Sequence, residues 1–205
     1  MTKKLETVNF PHKLVIHQLF PIPVYVSKLG RQLTEEESKT INKCKKKTHL
    51  NQGNIISEDT YVLENKTLKH LKEDLNEKVV DYFDKIISSD NPIAPYITQS
   101  WLNYTKANQY HHQHFHSNSY VSGVFYLNAD PKVDHIKFYR SHFPEIEPLV
   151  TKYNIFNAKS LWFPVETGNV VLFPSSLSHG VDKKIGANTR VSLSFNTYFK
   201  GTIGS

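Results

Sequence analysis

Apolar residues recur at Leu68, Leu71, Leu75, Val79, Phe83 and Ile86, steps of three or four that turn one helical face toward a core. The spacing predicts a helix within 66–89, stopped by the breaker cluster Asp90–Asn91–Pro92. An earlier helix is expected over about 35–48, where Thr34 and Glu37 stand at capping-box spacing. Acids lead that segment and lysines close it, the order that complements the helix dipole. Ahead of it, prolines bracket an aromatic and β-branched run within 17–29, which reads as an edge strand.

After Pro95 the period changes. PYITQSWLNYT, SYVSGVFYLNA, VDHIKFYR, GNVVLFPS and RVSLSFNTYFK are short β-rich runs, several parted by turn residues such as Asp130–Pro131 and Thr167–Gly168. Helices first and strands afterwards predict an α+β, mainly β chain whose helices pack outside an antiparallel sandwich or barrel. We read one domain over 1–205, with 1–95 supplying an N-terminal strand and supporting helices and 96–205 the β core. A loop over 141–160 interrupts the strands, and loops of that length commonly wall or cover pockets.

The 205 residues suffice for one well-buried domain, and no apolar run reaches the roughly 20 residues a membrane-spanning helix needs. The first residues carry lysines without the apolar stretch of a secretory signal, and the single Cys44 fits a reducing compartment, so a cytoplasmic protein is expected. Cys44 itself is taken as incidental. The net charge of +6 is concentrated partly in NKCKKK (42–47), read as a solvated helix face, so a nucleic-acid partner is not expected.

Four of the eleven histidines, His111, His112, His114 and His116, lie within six positions. In an extended strand His112, His114 and His116 share a face and His111 points the other way. Residues 112 and 116 would then stand about 13 Å apart, too far to share an ion, so the pair is 112/114 or 114/116. His114 belongs to both. A hydrated row of strand histidines would be the reading if this run stood alone.

Downstream, GNVVLFPSSLSHG ends on His179, and Arg190-Val191-Ser192 follows eleven residues later. Along the last strand Val191, Leu193 and Phe195 occupy one face and Arg190, Ser192, Ser194 and Asn196 the other. That polar face meets either solvent or a barrel interior that holds an anion.

A His-x-ligand pair, a distant third histidine and an Arg-x-Ser about ten positions later resemble the Fe(II)/2-oxoglutarate-dependent oxygenases. LFPIPVYV, HFHSNSYVSGVFYL, GNVVLFPSSLSHGV and RVSLSFNTYFKGTIG resemble a subgroup of them, prolyl-hydroxylase-like, whose substrates are mostly unassigned. The resemblance touches nearly the whole chain and is densest over 101–204. It implies a double-stranded β-helix (jelly-roll, cupin-like) core and iron held by His114, His116 and His179. It further implies 2-oxoglutarate anchored through its far carboxylate by Arg190, with Ser192, Tyr126 and Tyr104 as cosubstrate contacts. The activity implied is a dioxygenase, of hydroxylase type, coupling decarboxylation of 2-oxoglutarate to succinate with oxidation of a small-molecule or peptidyl substrate by molecular oxygen. Ascorbate would serve to keep the iron reduced.

One departure from the family pattern stands out. Where it has His-x-Asp or His-x-Glu, this chain has His114-Phe115-His116. Three readings stay open: His116 as a ligand in a three-histidine site, Asp134 or water in its place, or His112 with His114 as the pair. The missing carboxylate also keeps open a cupin-like three-histidine dioxygenase without 2-oxoglutarate, and a non-catalytic binding protein on the same fold. Trp101 and Trp162 could wall a substrate pocket, but core packing is the expected use of each. His49, His70, His135 and His142 are expected at surface or hydrogen-bonded core positions, and Lys137 and Arg140 as solvated charges. Asn103 is compatible with a cosubstrate contact or a turn. Monomer and homodimer are both compatible with the sequence.

Overall fold

The computed structural model describes residues 7–9, 15–140, 146 and 148–204. β1 (Thr7–Asn9) and β2 (Val15–His17) pair as a two-stranded sheet, and β3 (Tyr25–Lys28) follows. α1 (Glu35–Cys44) comes next, then a hairpin of β4 (Thr48–Leu50) and β5 (Ile55–Ser57), then α2 (Lys69–Tyr82). The remaining strands are β6 (Ile93–Thr105), β7 (His111–His114), β8 (Val121–Asn128), β9 (His135–Tyr139), β10 (Ser160–Pro164), β11 (Asn169–Pro174), β12 (His179–Val181) and β13 (Arg190–Gly201).

Both helices follow from their sequences. In α1 the capping box forms: Thr34 Oγ1 accepts from Glu37 N, and the Glu37 carboxylate accepts from Thr34 N at 2.8 Å. The same buried carboxylate takes a two-pronged bond from Arg31, both contacts at 2.7 Å, and Arg31 Nε reaches Asp74 of α2 at 2.6 Å. α1 ends at Cys44, short of the expected 48, because tight turns at Lys46 and Lys47 hand the chain to β4.

α2 buries Leu71, Leu75 and Val79 as the spacing predicts, but the chain then widens into a π turn over Phe83–Ile87. That turn shifts the helical phase. Phe83 stays in the core and Ile87 packs against it, while Ile86, assigned to the stripe from sequence, is 37% exposed. The N-terminal part also holds more strand than the one edge strand expected. β3 is the edge strand of the large sheet, and β4 and β5 extend its other end.

Two antiparallel sheets form the sandwich. The larger runs β3-β11-β8-β13-β6-β5-β4 and the smaller β10-β9-β12-β7. Between them pack Val124, Tyr126, Ile136, Phe138, Val171 and Phe173, from β8, β9 and β11. The outer face of the large sheet carries Leu102, Phe125, Leu172, Leu193 and Phe195, covered by Leu71, Leu75 and Val79 of α2. A sheet buried on both faces needs apolar residues at consecutive positions, and Asn169–Phe173 is buried throughout. This is the mainly β jelly-roll with helices outside that the sequence predicts.

Gly123 lets the large sheet close. A Cβ there would sit 2.1 Å from Cζ of Phe195 on the neighbouring strand β13, so only glycine leaves room for that ring. Among the described residues, no helix is long and apolar enough to cross a membrane.

Candidate functional site

Residues on the inward faces of β6, β7, β8, β12 and β13 line one small cavity between the sheets, among them His111, His114, His116, Tyr126, His179, Arg190 and Ser192. β7 and β12 are registered partners, His179 opposite His114. Their ring centroids are 4.3 Å apart, and His116 lies 5.0 Å from His114 and 5.3 Å from His179. One ligand nitrogen from each of His114, His116 and His179 falls within 4.8 Å of the others.

His116 reaches this group because β7 ends at His114. The chain turns there, and His116 N is held by the carbonyl of Ser175 at 2.9 Å. His112 and His116 fall in different groups, as the strand spacing predicts, and His114 belongs to both.

The backbone also sets the tautomers. His114 Nδ1 faces the carbonyl of His112 at 2.9 Å, and His179 Nδ1 faces that of Leu177 at 3.0 Å. A carbonyl oxygen only accepts, so each Nδ1 carries the proton and each Nε2 keeps a free lone pair, the state of a metal-binding imidazole. Burial reinforces it by opposing a charged ring: His179 is pushed down to about 3 and His116 to about 4, and His114 is lowered by the same desolvation.

His111 is a correction. From His179 to Val181 the partner strand advances two residues while β7 spans three, from His114 back to His111. The extra residue is a bulge that inverts the alternation. His111 thus lines the cavity instead of facing away. Gly180 allows the close approach, since a Cβ there would meet the carbonyl oxygens of His111 and His112 at 3.0 and 3.1 Å. His111, His112 and His114 make a second group within 4.8 Å, so the His112/His114 pairing is also available. Desolvation holds His111 down to about 2.

Asp134 does not join either histidine group. Its carboxylate forms a buried ion pair with Lys184 Nζ at 2.9 Å and accepts from Asn188 Nδ2 at 3.0 Å and from Asp130 N at 2.9 Å. These partners keep its pKa low despite burial, so it is an ionised, fully engaged group away from the imidazoles. Without it, the donor sets are neutral.

Arg190 is 3% exposed. Its guanidinium donates to the His135 carbonyl at 3.3 Å and to Thr105 Oγ1 at 3.2 Å, while Nε has no partner. Among the described residues no carboxylate lies within ion-pair distance of it. Burial lowers its proton affinity, with Tyr126 and Asp134 opposing that shift, yet a guanidinium stays protonated in proteins. A buried cation whose hydrogen bonds are long and to neutral oxygens fits an incoming carboxylate. Ser192 and Tyr126 line the same cavity, and burial raises the Tyr126 phenol to about 12, so it is a hydroxyl donor at neutral pH.

Tyr104 is placed elsewhere. On β6 the cavity side carries Trp101 and Asn103, and Tyr104 alternates to the opposite face, packed with Leu102 and Ile55. Thr105, its neighbour, contacts Arg190 instead. Trp101 leaves its expected core role and lies 5.7 Å from His116 in the cavity wall. Trp162, also expected inside, is 59% exposed on the edge strand β10 and meets His135 in a tilted ring contact at 5.6 Å. Cys44 is raised by burial, which suits an unreactive thiol. His142 lies outside the described residues.

Residues 99–196 match the profile of a family described as "Putative 2OG-Fe(II) oxygenase". Among solved structures, HygX from Streptomyces hygroscopicus, with nickel, 2-oxoglutarate and hygromycin B bound, is 12% identical with a TM-score of 0.57, covering 86% of this chain and 82% of that one. A Pseudomonas putida prolyl-4-hydroxylase is 11% identical with a TM-score of 0.53, covering 88% and 94%. A 2OG-Fe(II) oxygenase family oxidoreductase from Burkholderia pseudomallei is 12% identical, TM-score 0.54, covering 78% and 76%. At these identities the likeness is one of fold. No curated protein matches.

Proposed function

We propose, from the premise that residues 99–196 are those of a 2OG-Fe(II) oxygenase, that His114, His116 and His179 hold Fe(II) and that Arg190 anchors 2-oxoglutarate beside it. The observation that carries this reading is the pairing, in one cavity, of free imidazole lone pairs with a buried guanidinium that has no carboxylate partner among the described residues. The donors fit the ion: three neutral nitrogens suit a borderline transition metal. Iron bound there supplies oxygen activation and oxidative decarboxylation of the cosubstrate.

The residues themselves bind, orient and shield. Arg190 fixes the far carboxylate as a forked donor, Ser192 and Tyr126 add hydroxyl donors to the same end, and Trp101 with Phe173 keeps water from the histidines. Because no carboxylate among the described residues joins the histidines, the cosubstrate's own anionic groups supply the compensating charge, which favours cosubstrate binding over an empty site. We assign the reaction to substrate hydroxylation, on a small molecule or peptidyl group.

Incubation with Fe(II), ascorbate, oxygen and 2-oxoglutarate is expected to release succinate slowly without substrate, and Arg190→Ala to suppress it. The neutral donor set favours one second reading, a three-histidine dioxygenase that binds its organic substrate on the metal. Metal-dependent oxygen uptake indifferent to 2-oxoglutarate would select that reading instead.

A further inference from the structure

An unbroken line of side-chain hydrogen bonds ends on His111. Asn103 Nδ2 donates to Ser194 Oγ at 2.9 Å, Asn54 Nδ2 to Asn103 Oδ1 at 3.3 Å, and Asn51 Nδ2 to Asn54 Oδ1 at 3.1 Å. Asn51 Nδ2 then lies 3.4 Å from His111 Nε2. Asn54 and Asn103 are 1% and 3% exposed, so this chain of amides is built into the wall between β5 and β13 and is not a solvated surface contact. A side-chain amide nitrogen only donates. His111 Nε2 must therefore accept, and the ring's proton sits on Nδ1.

The location gives that N–H a purpose. His111 lines the cavity that also holds His114, His179, Arg190 and Ser192, and its ring centroid is 4.5 Å from that of His114. Across the bulge it pairs with Val181, which, with Gly180, lines the same cavity. A dicarboxylic acid held between the imidazoles and Arg190 would share this cavity with the His111 ring. A neutral imidazole with a fixed donor is suited to hydrogen-bond an anion without competing for it as a second cation.

We infer that His111, oriented by the Asn51–Asn54–Asn103 line, is a further cosubstrate-binding residue that donates a hydrogen bond to the metal-chelating end of 2-oxoglutarate. The inference rests on the reading of the site as a 2-oxoglutarate site and adds to it a contact at the end opposite to the one Arg190 holds. It gives the bulge in β7 a function, since a regular strand would turn His111 out of the cavity.

The test is calorimetric titration of the full chain loaded with Ni(II), using 2-oxoglutarate and, separately, oxalate, a chelating dianion with no distal arm. His111→Phe is expected to keep Ni(II) binding and to weaken both anions about ten- to a hundred-fold, the loss of one charge-assisted donor. His111→Gln, which retains an N–H donor, is expected to recover most of that loss. Arg190→Met is expected to weaken 2-oxoglutarate and spare oxalate. Unchanged anion affinity in His111→Phe would overturn the inference, as would an effect on 2-oxoglutarate that leaves oxalate untouched. Loss of Ni(II) from His111→Phe would give the ring to the ion, through the His111/His112/His114 group, and would equally overturn it. Failure of the unaltered chain to bind 2-oxoglutarate would instead remove the parent reading, a separate and recognisable outcome.

Discussion

His114 and His179 face each other as registered partners of β7 and β12, rings 4.3 Å apart, each with Nδ1 turned to a backbone carbonyl two residues earlier. The matched geometry makes the two interchangeable in their consequences. His114→Ala and His179→Ala are each expected to lower Ni(II) or Fe(II) affinity by more than about 100-fold, beyond the 10–100-fold that losing an outer partner costs. His112→Ala is expected to change it less than tenfold. Metal titration of the three variants checks this, and a reversed order would move the ion to the His112 group.

Arg190, buried with no carboxylate partner among the described residues, is a burden on the fold. A buried charge lacking a partner costs free energy, so Arg190→Met should leave stability unchanged or raise it by about 1 kcal/mol when no dicarboxylate is present. With 2-oxoglutarate and Ni(II), the unaltered chain should gain melting temperature and the variant should not. Thermal melts of both proteins with and without cosubstrate measure the four values.

Acid should unfold the metal-free protein in two stages. His111, His116 and His179 are held neutral when folded, with values of about 2, 4 and 3, while the same rings in the unfolded chain titrate near 6.5. Below that pH the unfolded state binds more protons, so stability falls with pH, each ring contributing up to about 1.4 kcal/mol per pH unit. Glu37 and Asp134, whose pKa values are lowered in the fold, contribute stability above their unfolded values of about 4, and this is lost only as pH falls further. Urea midpoints between pH 7.5 and 4 should drop already below pH 6.5, and a flat profile down to pH 5 would contradict the burial of these rings.

Gly123 is a packing constraint in the wall of the cavity. Gly123→Ala drives a methyl into Phe195 and should cost about 1–3 kcal/mol. Phe195→Leu also opens a small gap, so the double variant should be less destabilised than the two single costs added together. Denaturant melts of the four proteins close the cycle.

Period and capping made much of this molecule legible. The α2 stripe, the Thr34–Glu37 cap and the alternation that puts Arg190 and Ser192 on one face of β13 could be read from residue order alone; that this face turns inward could not. What escaped reading were local departures from regular geometry. The π turn after Tyr82 moved Ile86 outward, and the bulge opposite Gly180 brought His111 inward. Both change a phase by one residue, and no residue type in those segments announces it. Tyr104 shows the complementary case: the resemblance implied a cosubstrate contact, but alternation on β6 sends it to the other face.

One cavity is expected to hold metal and dicarboxylate side by side. Adding 2-oxoglutarate to the Fe(II)-loaded protein under anaerobic conditions and recording the visible charge-transfer absorption of the chelate tests that directly. The band is expected with the unaltered chain, at much higher cosubstrate concentration with Arg190→Met, and not at all with His179→Ala. No band at millimolar 2-oxoglutarate, or one that His179→Ala leaves intact, would contradict the account.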